Sequence, residues 1–153
     1  MGRIEDRLQK LGINLPAPNA PVANYAPFVL SGATLYISGQ ISNGANGVVK
    51  GKLGATLTIE EGAAAARLCA INLLAQINRA LDGDLDRVKR IIKLGGFVNC
   101  TTDFEDQPKV INGASDLMVA VFGDAGRHAR AAVGAQSLPL GAAVEIDAVV
   151  EIG

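Results

Sequence analysis

Tryptophan is absent from the chain, and aromatic residues make up only 4% of it, so the interior has to be filled by Ala, Val, Ile and Leu. Hydrophobic residues reach 49% of 153 positions, enough for one domain to bury a core without disulfides or metal. The surplus of small apolar residues implies more buried surface than one small domain covers alone, as in an obligate oligomer. Histidine occurs once, at His128, and cysteine twice, at Cys69 and Cys100. One imidazole and two unmatched thiols argue against a zinc centre, a Ser-His-Asp triad and a disulfide framework. Cys69 in a helical pattern and Cys100 at a strand end read as packed, reduced thiols. An excess of one charge is also lacking: 14 basic against 15 acidic side chains leave a net charge of −1, with no electrostatic footprint for a nucleic acid. No apolar run approaches the ~18 residues that cross a bilayer. Met1 to Lys10 lacks the apolar centre of a signal peptide, and Asp6 stands where a myristoylation signal requires Ser or Thr. The expectation is a soluble, cytoplasmic protein that binds neither membrane nor nucleic acid.

What is present reads as one domain over residues 1–153, opened by a helix and an extended arm in residues 1–24. Ile4, Leu8 and Leu11 have helical spacing and are followed by Gly12 as a stop. Pro16, Pro18, Pro21 and Pro27 make residues 14–27 an arm laid across the body. Residues 28–31 and 34–42 are strand-like, joined through Gly32-Ala33. Leu35, Ile37 and Ile41 are expected on one face of the second strand, with Tyr36, Ser38 and Gln40 on the other. Gly39 weakens that strand unless a bulge or a ligand needs the space. The glycine-rich connection 43–57 holds Gly47-Val48-Val49-Lys50-Gly51-Lys52, which is one residue short of a phosphate-binding loop and has Leu53 in place of Ser or Thr.

Thr58-Ile59-Glu60-Glu61 forms a capping box that opens a long helix ending near Asp82-Gly83. Ala63, Ala66, Ala70, Leu73, Leu74, Ile77 and Leu81 make its apolar stripe. Residues 87–100 read as a strand, and Asp106 with Pro108 starts a second helix striped by Val110, Ala114, Leu117, Met118, Val121 and Phe122. Two β-like runs follow, 130–137 and 142–152, separated by Leu138-Pro139-Leu140-Gly141 at hairpin spacing. In the first, Ala131, Val133 and Ala135 are expected on the core side, with Arg130, Ala132 and Gly134 opposite. In the second, Val144, Ile146, Ala148, Val150 and Ile152 oppose Glu145, Asp147, Val149 and Glu151. The order of elements implies an α+β two-layer sandwich: a mixed, mainly antiparallel sheet with both helices on one face. The other face is then solvated or covered by neighbouring subunits.

Several stretches together resemble the RidA/YjgF family of reactive-intermediate deaminases. They are Asn24-Tyr25, Tyr36-Ile37-Ser38-Gly39-Gln40-Ile41, Val110-Ile111-Asn112, Ala129-Arg130-Ala131-Ala132-Val133, and Leu138-Pro139 with Val144-Glu145-Ile146, in order from about Asn19 to the C-terminus. The resemblance implies a chorismate-mutase-like fold, a homotrimer with ligand clefts between subunits, and hydrolysis of 2-imino acids such as the tautomer of 2-aminoacrylate to 2-oxo acids and ammonia, without metal or cofactor. It assigns Arg130 to the substrate carboxylate, Glu145 to a catalytic water, and Tyr25, Ser38, Gly39 and Asn112 to the substrate pocket.

The residue types suit those roles, since a guanidinium holds a planar carboxylate with two parallel hydrogen bonds. The plainer readings are an Arg130–Asp147 salt bridge, a solvated Glu145, Tyr25 packed on the sheet, a solvent-facing Asn112, and an exposed turn residue at His128. With a turn centred near Pro139-Leu140, Glu145 falls opposite Gly134, ~13 Å along the strand from Arg130, so convergence on one small substrate requires two subunits. Ala132 replaces a cysteine common in the family, Leu140-Gly141-Ala142 replaces charged residues, and the N-terminal helix and the 43–57 connection are longer than in compact members. A non-catalytic trimer binding small carboxylates is the second expectation. Ribonuclease action is disfavoured by the charge balance and the single histidine.

Overall fold

A computed structural model describes residues 2–20 and 23–153; Pro21, one of the arm prolines, lies outside them. Helix α1, Arg3–Lys10, buries Ile4 and Leu8 one turn apart. Its N-cap, Gly2, has no side chain to satisfy the first N–H groups, and the carboxylate of Asp86 does so from far along the chain, accepting from Arg3 N and Ile4 N at 2.9 Å each. Residues 13–20 then run without helix or strand.

Strands β1, Phe28–Ser31, and β2, Thr34–Ile41, form the expected hairpin, with Ser31 opposite Thr34 and Gly32 at φ 60°. The glycine-rich connection contains two short paired strands, β3 (Asn43–Gly44) and β4 (Gly47–Val48). Helix α2, Ile59–Ala80, opens with the full capping box: Thr58 Oγ1 accepts from Glu61 N while the Glu61 side chain accepts from Thr58 N. Beyond it come β5, Val88–Asn99; α3, Gln107–Phe122; β6, Ala129–Ala135; and β7, Val144–Ile152.

The sheet order is β1-β2-β7-β5-β6, antiparallel except for β5 with β6. Helix α2 lies over β2 and β7, and α3 over β5 and β6. Ile37, Leu94, Val98, Ile146 and Ala148 share the buried cluster with Leu73, Leu74, Ile111 and Met118, so both helices cover one face, as the element order implies. The α2 stripe is wider than expected, since Cys69, Asn72 and Gln76 are buried as well. Asn72 Nδ2 donates to the carbonyls of Ile41 (3.2 Å) and Asn43 (2.8 Å), and Gln76 Nε2 donates to that of Asn19 (2.9 Å). These bonds fasten the arm and the end of β2 to the helix layer.

The hairpin expected between residues 130–137 and 142–152 does not form. Strand β5 lies between β6 and β7, because α3 makes the crossover that a parallel β5–β6 pair requires. The Leu138–Gly141 segment instead carries the chain past the end of β5 in a 3-10 turn, with Leu140 at φ 58°. Asn99 receives it: Asn99 N donates to Ala143 O at 2.9 Å and Asn99 Nδ2 to Ala142 O at 3.0 Å. The faces of β6 are also reversed. Arg130 is level with Leu94 and Ala132 with Gly96, on the helix side, whereas Ala131 and Val133 look out from the open side.

Helices α2 and α3 approach closely at Gly113, where an added Cβ would fall on the Ala63 carbonyl. Backbone cannot rotate away as a side chain can. Gly113→Ala is therefore expected to destabilise the fold by about 3 kcal/mol, read in thermal denaturation as a Tm fall of roughly 6–12 °C; an unchanged Tm would contradict this account of the helix contact.

Candidate functional site

Strand β7 places Glu145 and Asp147 side by side on the open face, as its alternation requires. Room for them comes from two glycines on the flanking strands. A Cβ on Gly39 would collide with the Glu145 carboxylate, and one on Gly95 with that of Asp147. At Gly39 the ladder also slips: Ile37 is opposite Ala148 but Gln40 is opposite Ile146, so Ser38 and Gly39 together face Asp147 in a bulge. The bulge corrects the expected phase of β2, because it turns Gln40 to the buried helix side and sets Ile41 opposite Glu145. Gln40 Nε2 bonds back to Ser38 O at 3.0 Å.

Both carboxylates are half-buried. Burial, and then the neighbouring charge of Asp147, pushes the Glu145 pKa up. Burial raises that of Asp147 too, offset by the Gly95 N–H and by Lys93. Among the described residues Glu145 has neither a hydrogen-bond donor nor a cationic partner, which leaves its oxygens free for an occupant.

Glu145 borders a cleft of about 740 Å³, walled by Tyr25, Pro27, Ser38, Gly39 and Ile41 and rimmed by Leu140. The arm is tied there by Ser38, whose N–H donates to Pro27 O at 3.0 Å and whose Oγ donates to Ala26 O at 2.7 Å. Those two bonds hold Tyr25 at the mouth. Four of the expected site residues, Tyr25, Ser38, Gly39 and Glu145, thus meet in one hollow.

Arg130 and Asn112 do not line that hollow. Arg130 projects from edge strand β6 toward α3, with Nη1 donating to Ser115 Oγ at 3.1 Å and Nη2 to Pro108 O at 3.2 Å. Asn112, exposed on α3, lies on the same helix stripe as Pro108 and Ser115, which hold the guanidinium. The alternative Arg130–Asp147 pair is not formed, since the two side chains leave opposite faces of the sheet; no described carboxylate pairs with Arg130. Nor is His128 an exposed turn residue: it is half-buried and bonded to both Ser115 and Gly126. Arg130 and Glu145 are two strands and three residues apart, roughly 14 Å, on opposite faces.

Sequence reasoning missed Ser115, which lies one turn beyond Asn112, off the apolar stripe of α3. It also missed Leu140 as a rim residue, having read it as hairpin turn. The described residues include no group of three or more His, Cys, Asp or Glu side chains that could hold a metal ion, and no helix long and apolar enough to cross a membrane. A carboxylate made more basic by burial, in a mostly apolar hollow that Tyr25 also lines, can take a proton from water.

A raised carboxyl pKa means that the folded state binds more protons than the unfolded one. Its stabilising share is complete at acid pH and is lost as pH climbs above about 4.3. Glu145→Gln, which cannot ionise, is accordingly expected to raise Tm relative to wild type at pH 7 but not at pH 3.5; thermal melts across that range check it, and a parallel pair of curves would refute the shift.

The family described as YjgF/chorismate mutase-like, putative endoribonuclease matches residues 5–152, from within α1 to the last residue of β7. The protein TCP17 of Trypanosoma cruzi is 55% identical over 153 residues, covering 99% of this chain and 95% of that protein. Among solved structures, Atu1372 from Agrobacterium tumefaciens, of unknown function, is 50% identical with a TM-score of 0.91, covering 98% of this chain and 92% of its own. RidA from the Antarctic bacterium Psychrobacter sp. PAMC 21119 is 28% identical with a TM-score of 0.61, covering 89% and 94%. The strand order, the two helices on one face and these matches along almost the whole length agree: the chain belongs to the YjgF/RidA family.

Proposed function

We propose that the protein is a homotrimeric deaminase that hydrolyses small, reactive 2-imino acids to 2-oxo acids and ammonia, in clefts completed by a neighbouring subunit. The observation that carries this reading is the separation of two unpaired, opposite charges within one protomer. Among the described residues, Glu145 faces the cleft without a cation, and Arg130 stands on the far edge of the sheet without a carboxylate.

A second copy that presents its β6 edge to the cleft would set the guanidinium against the substrate carboxylate and leave Glu145 beside the C=N carbon. Glu145 would take a proton from water as oxygen bonds to that carbon and pass it to the nitrogen, giving a carbinolamine, then carry the new hydroxyl's proton to the nitrogen as C=O forms, the C–N bond breaks and ammonia leaves. The open face supports assembly of this kind. Val29, Tyr36 and Val133 are exposed there by 54%, 51% and 46%, an apolar surface that favours burial against another copy. Contacts between unlike surfaces of identical chains close into rings when the rotation permits, and the implied ring has three members. The near-neutral charge and single histidine give no support to RNA cleavage by this chain.

The test uses a pyridoxal-phosphate dehydratase to generate 2-aminoacrylate while pyruvate is followed. Wild type is expected to accelerate pyruvate formation, and Arg130→Ala and Glu145→Gln each to lose at least about a hundredfold of it; equal rates for wild type and Arg130→Ala reject the proposal. Saturable 2-oxo acid binding with no imine turnover would assign the cleft to binding alone. Refolding the two variants together at equal concentration distinguishes shared from internal sites: about a quarter of wild-type activity should return if Arg130 and Glu145 act from different chains of a ring, and none if they act within one.

A further inference from the structure

The groups behind Arg130 form an ordered chain. Nδ1 of His128 lies 2.6 Å from Gly126 O. A carbonyl only accepts, so Nδ1 carries the proton, and in the neutral imidazole Nε2 is left with a lone pair. Ser115 Oγ lies 2.9 Å from Nε2 and donates its hydrogen there. The hydroxyl's remaining lone pairs can then only accept, and Arg130 Nη1 donates to them at 3.1 Å. Gly126 sets the start of the chain. It sits so close to α3 that a Cβ would meet Met118 O, which fixes the position of its carbonyl against the helix. At the other end, Pro108 O accepts from Nη2. Two of five guanidinium N–H groups are thus held by neutral acceptors on α3, and three stay free, enough for a bidentate grip on a carboxylate.

We propose that Ser115 and His128 are positioning residues for Arg130: the Gly126–His128–Ser115 relay turns a hydroxyl lone pair toward the guanidinium and aims its free edge out of the subunit for a small carboxylate. The proposal rests on the reading of Arg130 as the carboxylate anchor. Without the relay, a serine hydroxyl rotates freely and can as well present its hydrogen to the cation. With it, the guanidinium plane is fixed before ligand arrives, which lowers the ordering cost of binding.

The test is calorimetric titration of the full-length protein with pyruvate, a small 2-oxo acid, combined with nitrogen NMR of the imidazole. His128 is the only histidine, so its two ring nitrogens are unambiguous. Ser115→Ala is expected to weaken pyruvate binding about five- to tenfold, and Ser115→Thr, which keeps the hydroxyl, to return it to within about twofold of wild type. In the wild-type protein pyruvate should shift the Nε2 resonance; in Ser115→Ala it should not. A Ser115→Ala protein that binds like wild type, or a loss that Ser115→Thr fails to rescue, overturns the relay. Arg130→Ala separates the two readings: if it loses binding while Ser115→Ala does not, the anchor stands and the relay falls, and if it binds pyruvate like wild type, both fall.

Discussion

Strand β5 runs between β6 and β7, hydrogen-bonded to both, parallel to one and antiparallel to the other. Its position decides where each charged group of the site can be. Phe97 is level with Val133 on one side and Glu145 on the other, while Leu94 is level with Arg130 and Ala148. Because neighbours at one level share a face, Glu145 leaves the sheet with Phe97 on the open side and Arg130 leaves it with Leu94 on the helix side. Had β6 and β7 paired directly, these two side chains would have shared one face of a two-stranded ribbon. The interposed strand keeps each available for an outside partner, and it places the arginine at a sheet edge beside α3, whose carbonyl and hydroxyl groups hold the cation without cancelling its charge.

Glycine supplies the complementary condition. A residue without a side chain weakens a strand by roughly 0.5–1 kcal/mol relative to alanine, and β2 and β5 carry that loss at Gly39 and Gly95, beside Glu145 and Asp147. At Gly39 the cost is joined to a bulge, which moves one more backbone unit to the cleft wall and swings Gln40 to the buried side. The outcome is a pair of carboxyl groups partly removed from water and placed near each other, the arrangement that raises proton affinity. Fold and site are coupled here, since Gly39, which leaves room for the Glu145 carboxylate, also walls the hollow that Glu145 faces.

Much of this was legible in the chain itself. The capping box at Thr58–Glu61, the apolar stripe of α3 and the two-residue alternation of β7 each rest on neighbours within a few positions, and local rules read them correctly. Ser38, Gly39 and Glu145 were legible as site residues only through the resemblance to the RidA/YjgF family, and the fold brings them to the cleft. What failed was non-local. Leu138-Pro139-Leu140-Gly141 has a hairpin's composition, but the partner of β7 is chosen by which strand α3 delivers to the sheet, and that depends on packing some forty residues upstream. The face of β6 fails separately: alternation puts apolar Ala131 and Val133 toward the core and Arg130 away from it, but at the sheet edge beside α3 the arginine turns to the helix and the valine outward. At Gly39 alternation was broken by one extra residue that no periodicity can announce. Ser115 carries no local signal and His128 reads as an exposed turn residue, because their bonds arise only when α3 and the turn after it meet.

Helix α1 shows an order of events implied by the finished structure. Eight residues cannot hold a helix in water on their own, and the N–H groups at this one's start are satisfied by a carboxylate more than eighty residues later in the chain. During synthesis, then, α1 leaves the ribosome well before the stretch that holds its N-terminus and is among the last segments to settle. It stays unstructured until the stretch carrying Asp86 has emerged and folded, and only afterwards is it clipped onto the surface of a body already formed.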